Sequence, residues 1–105
     1  MNRETLKALR GSIKKWEGVV AGTTADYGGD NCPLCALFFY KSACRGCPVY
    51  EDTKIDACRG SPFIDWFEAT RSHGYPRYAR DDESVMCAVL ELEYLKSLLP
   101  SRRTK

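Results

Sequence analysis

The chain has 105 residues, is 44% hydrophobic and 29% charged, and carries six cysteines and a formal net charge of +2. That length makes one domain with a small core, and that composition excludes a disordered chain. A charge so close to zero excludes a partner chosen by bulk electrostatics alone, and no apolar run approaches the ~20 residues that cross a bilayer.

From Arg3 to Val20, apolar residues recur at Leu6, Leu9, Ile13, Trp16 and Val20. Steps of three and four keep them on one face, so a first helix is expected over 1–21, ending near Gly22. Its N-terminus, MNRETLKALRGSIKKW, lacks the apolar centre of a signal peptide. The expected setting is therefore cytoplasmic, where thiols stay reduced and metal is favoured over disulfides. GTTADYGGD (22–30) reads as a loop. Asp30 or Asn31 is a candidate cap for a short helix over Leu34 to Tyr40, although LFFY also suits a strand. RGCP, with Gly46 and Pro48, reads as a turn. Ser61-Pro62 opens a helix over 61–72, with Phe63, Trp66 and Phe67 on one face and Gly74 and Pro76 ending it. A last helix is expected over 83–99, with Asp81 and Asp82 before it and Pro100 after it. It is apolar on two sides, Val85, Val89, Leu92 and Leu99 on one, and Leu90, Tyr94 and Leu98 on the other. Such a helix is central to the core or also forms an oligomer contact.

Between residues 31 and 60 the sequence turns cysteine-rich. Five of the six cysteines fall within residues 31–58: Cys32, Cys35, Cys44, Cys47 and Cys58. Two CxxC pairs let thiolates reach one ion from tight turns, and zinc prefers four soft ligands in a tetrahedron. Four of these five are the candidate ligands of one structural zinc ion. A continuous helix over 36–43 would separate Cys35 from Cys44 by ~13 Å, too far to share an ion. Either that helix ends early and the chain folds back, or Cys32, Cys35, Cys47 and Cys58 are the set. Disulfides are the second possibility, with 15 pairings open to six cysteines. Cys87 lies within the last helix, where a small buried hydrophobe is expected. A redox pair at Cys32 and Cys35 is third; its usual fold needs a buried strand before the motif, which GTTADYGGDN is not.

The order C-x-L-C, C-x-x-C-P-V, a further Cys and S-P-F, carried by Cys32, Leu34, Cys35, Cys44, Cys47, Pro48, Val49, Cys58, Ser61, Pro62 and Phe63, resembles small cysteine-rich proteins of bacteriophage and bacterial genomes. The likeness runs from about residue 10 to residue 99 and includes Lys15, Trp16 and Glu17 in the preceding helix. It implies a phage-type or bacterial cytoplasmic context and a shared cysteine framework, and it assigns no activity.

Arg3, Lys7, Arg10 and Lys14 form a basic stripe on the first helix that could sit on phosphates, or could simply face water. RSHGYPRYAR interleaves Arg71, Arg77 and Arg80 with tyrosines, a composition suited to single strands and equally to protein interfaces. His73 is the only histidine and has no second histidine to support it as a ligand. Asp26, Asp30, Asp52 and Asp56 are scattered and make no calcium loop.

The fold expected is a small, mainly α domain of three to four helices with a zinc-stapled middle. The function expected is a non-enzymatic binding module whose partner is a protein, with interference by a phage protein in a host complex as its sharpest form. Nucleic-acid binding through the stripe and the Arg71–Arg80 loop, and thiol redox chemistry at Cys32 and Cys35, are the alternatives. Homo-oligomerisation would use the last helix.

Overall fold

The structure is a computed structural model that describes residues 1–55 and 58–100. Asp56, considered above, and the basic SRRTK tail lie outside the described residues.

Helix α1 covers Arg3–Ala21. Asn2 caps it through a 2.7 Å bond from the Thr5 N–H. Gly22 ends it at φ 83°, a left-handed conformation that glycine adopts without steric cost. Its buried face includes Ala8, Leu9, Ile13, Trp16 and Val19. Leu6 and Val20, expected inside, are only half-buried.

The short helix expected over Leu34 to Tyr40 is present, and the strand alternative is not. Residues 33–42 are helical, with a π-helical stretch at Cys35–Phe39 leading into a short α2 at Tyr40–Ser42. Neither Asp30 nor Asn31 caps this segment. The Asn31 side chain instead closes the preceding loop, accepting from the Tyr27 N–H and donating to the Ala25 carbonyl. Cys32 takes the cap position, its carbonyl accepting from Ala36 N–H and its sulfur from Cys35 N–H. A further helix, α3, covers Pro48–Thr53 and raises the number of helices above the three to four expected. Proline at its first position needs no partner for its own nitrogen.

Ser61 accepts from the Phe63 N–H and so starts α4, Phe63–Thr70, which ends in a 3-10 turn over Arg71–His73. Helix α5 covers Asp82–Ser97. Asp81 and Ser84 exchange side-chain and backbone bonds across its N-terminus, a capping box.

Helix α5 packs against both α1 and α4. Its innermost line is Ser84, Ala88, Glu91, Leu92 and Leu95. This line runs between the two sides read from the sequence, and Val85 and Val89 are only half-buried. Trp66 is fully buried, edge-on to Trp16 at 5.2 Å between ring centroids, whereas Phe63 is half-buried and Phe67 exposed. Burying side chains such as Leu9 and Val19 contributes roughly 1.5–3 kcal/mol each. Among the described residues there is no strand, only one antiparallel bridge between Asp26 and Arg77. No described helix is long and apolar enough to cross a membrane.

Candidate metal centre

Three separate turns deliver the cysteines. The first is the Cys32-Pro33-Leu34-Cys35 turn, seated on α1, where Gly11 leaves room for the Pro33 ring; a Cβ at Gly11 would meet that ring at 3.0 Å. The second follows α2. There the chain reverses through Ala43 and Cys44, at φ 53° and 75°, and Cys44 N–H bonds back to the Phe38 carbonyl at 3.2 Å. The helix runs to Ser42, and the left-handed reversal after it turns Cys44 back to the cavity that Cys35 also lines. Gly46, at φ 91°, lies under the Phe38 ring and completes the turn to Cys47. The third turn begins at Cys58, itself at φ 62°. Its carbonyl accepts from both the N–H and the hydroxyl of Ser61. A non-glycine residue in the left-handed region is uncommon and costs energy, and two of the five cysteines hold it.

All five cysteines line one partly open cavity of about 270 Å³. Its walls are apolar, with Trp16, Leu34, Phe38, Val49, Phe63 and Leu95 among them. Ser12 and Lys15 reach it from α1, and Glu91 reaches it from α5. The sixth cysteine, Cys87, packs against the core and lies off the cavity, but it is half-buried rather than buried as expected. All six are free thiols. As the side chains stand, no three described His, Cys, Asp or Glu residues are arranged to hold an ion. Ion binding there requires the lining thiols to turn inward.

The thiols are electrostatically unequal. Cys35's thiol donates to Cys32, which is the main reason the Cys32 pKa is lowered; burial opposes this, while the Cys35 N–H, Lys15's charge and Ser12 assist it. The same contact, together with burial, pushes Cys35 up. Burial raises Cys47 and Cys58. A thiolate is the metal ligand and the nucleophile, and a helix N-terminus of the kind Cys32 occupies favours that form. Glu91 is 2% exposed, and burial lifts its carboxyl to about 8. Its Oε1 has no hydrogen-bond partner among the described residues.

A second buried polar centre lies beside this cavity, and nothing in the sequence reading found it. Asp26 is fully buried. Its Oδ1 accepts from Lys15 Nζ at 2.7 Å and Gly28 N at 2.8 Å, and its Oδ2 from Trp66 Nε1 at 2.9 Å and Arg77 Nε at 3.0 Å. The Asp26 backbone exchanges both its bonds with Arg77. Burial pushes the carboxyl up, but Lys15's charge and the bonds from Lys15, Trp66 and Gly28 outweigh it, so the pKa falls below the ordinary value.

That centre bears on the basic residues proposed for nucleic acid. Arg77 is spent on Asp26, with its guanidinium also over the rings of Phe63, Phe67 and Tyr75. Arg71 pairs with Glu68, and Arg80 stacks on Tyr78. Arg3, Lys7, Arg10 and Lys14 all face solvent on α1. His73 stands 3.8 Å from Asp81, away from the cavity.

No protein-family model, no curated protein and no solved structure matches this chain.

Proposed function

We propose that this chain is a non-enzymatic binding module whose small fold is held by zinc at the cysteine cavity and whose partner is a protein. One observation carries the metal part: five cysteines from three turns line a single cavity. Four thiolates complete zinc's tetrahedron and leave no open position for chemistry, so the ion acts as a staple. A domain this small gains most from such a staple. The protein part draws on α5, where Met86 is 58% and Leu90 47% exposed one turn apart. The cysteine framework's resemblance to phage and bacterial proteins supports a cytoplasmic setting, and a host complex as the target is the sharpest form of the proposal. The test has two arms. Protein purified under reducing conditions without added zinc is expected to carry the metal. A co-purifying partner is expected to be lost on Leu90→Glu while the metal is kept. A metal-free native protein would contradict the first arm, and a partner indifferent to Leu90→Glu would contradict the second.

The lowered Cys32 thiol beside Cys35 favours one second reading, a redox pair. It requires rapid alkylation of Cys32 near neutral pH in the protein as purified. A Cys32 that reacts only after a chelator is added contradicts it.

A further inference from the structure

The cavity offers more donors than one zinc ion can use. A tetrahedral ion takes four ligands. Five cysteines and Glu91 all line the same space. One ion would leave a thiol and one oxygen of a buried carboxyl without a partner, and an orphaned buried polar group is costly. Glu91 already shows that condition at one oxygen: it is 2% exposed, and while Ser61 and the Phe63 N–H act on its carboxyl, its Oε1 lacks a partner among the described residues. Lys15 and Arg77 are the cations that line the cavity, but both are committed to Asp26, at 2.7 Å and 3.0 Å. Cys87 is one helical turn before Glu91 on α5, yet it does not reach the cavity, so the carboxylate is the donor that α5 contributes.

Two four-coordinate ions need eight bonds. Six donors supply eight when two thiolate sulfurs each bridge both ions. Carboxylate oxygen is an ordinary zinc ligand beside cysteine sulfur. The charges balance no worse: five thiolates and a carboxylate around two dications leave the same net −2 as four thiolates around one. Space is sufficient, since a cavity of about 270 Å³ is several times the ~30 Å³ share of a water molecule.

We infer that the cavity is a binuclear zinc–thiolate site, in which Cys32, Cys35, Cys44, Cys47 and Cys58 supply the sulfurs and Glu91 the oxygen ligand. This rests on the reading of the cavity as a metal centre, and the test separates the two. The full-length protein, freed of metal and reduced, is titrated with cobalt(II) under anaerobic conditions while the sulfur-to-cobalt absorption is followed. Wild type is expected to saturate at two equivalents. Glu91→Gln is expected to saturate at one, and Glu91→Asp to recover the second equivalent with weaker affinity. Saturation of wild type at one equivalent overturns the binuclear site and leaves the single-ion reading standing. No binding overturns both. Two equivalents in Glu91→Gln with wild-type affinity overturn the assignment of Glu91. Should Glu91→Gln fail to fold, the wild-type endpoint and the weakening in Glu91→Asp decide the matter. Native protein that carries iron with acid-labile sulfide, rather than zinc, also overturns the inference, because bridging sulfide would then replace bridging cysteine.

Discussion

Two buried polar centres sit side by side in this molecule, and they are built in opposite ways. Around Asp26 every acceptor position is filled: four donors surround the carboxylate, two of them cationic, and the backbone bonds to Arg77 close the assembly. Around Glu91 the chain leaves a hollow, with five thiols on its wall and a carboxylate oxygen aimed at no described partner. Lys15 touches both centres and spends its charge on the first. A centre complete within the chain holds the fold together. A centre incomplete within the chain is where we propose a further occupant, and thiols favour a soft metal there.

The largest effect expected comes from emptying the hollow. If metal fills it, chelation removes a term that is typically larger than a small domain's whole stability. A loss of even 5 kcal/mol lowers the melting midpoint by roughly 20 °C, which thermal melts with and without chelator would reveal. Next comes the completed centre. Asp26→Ala leaves buried Lys15 and half-buried Arg77 without their counter-charge, and about 3–5 kcal/mol should be lost in denaturant titrations.

The two carboxyls should also respond to pH in opposite directions. Asp26 is lowered from 3.8, so its contribution is present above that value and is lost as pH falls through the lowered pKa. Glu91 is raised from 4.5 to about 8, so in metal-free protein its contribution is present below 4.5 and is lost as pH rises through 8. Stability of the metal-free protein against pH should therefore fall toward alkaline pH in wild type, and Glu91→Gln should flatten that limb. The smallest stability effect is expected at the surface. Leu90→Glu should change stability by less than about 0.5 kcal/mol while abolishing partner binding, which denaturant titration and co-purification would check together.

Much of the helical frame was legible because it rests on local signals. Apolar spacing gave α1, Ser61-Pro62 gave the start of α4, and Asp81 with its neighbour marked the start of α5. Helix α3 carries a readable signal as well, Pro48 at its first position, although RGCP by itself reads as a turn. The gathering of the cysteines was not legible. It depends on left-handed backbone at Ala43, Cys44 and Cys58, and none of these is the glycine that would announce such a conformation. The Asp26 centre was hidden because its partners Trp66 and Arg77 stand 40 and 51 residues away in sequence. A weak signal did exist. Lys15 continues the buried line of Ser12 and Val19, and Glu91 that of Ala88 and Leu95. A charged residue at a core position of a helix demands a partner.

The most direct test is to count reactive thiols and metal on one reduced sample, before and after chelation. The account predicts bound zinc, with Cys87 reacting first and the thiols of Cys32, Cys35, Cys44, Cys47 and Cys58 shielded until the chelator frees them. A metal-free native protein whose six thiols react alike, with no effect of chelator, would contradict it.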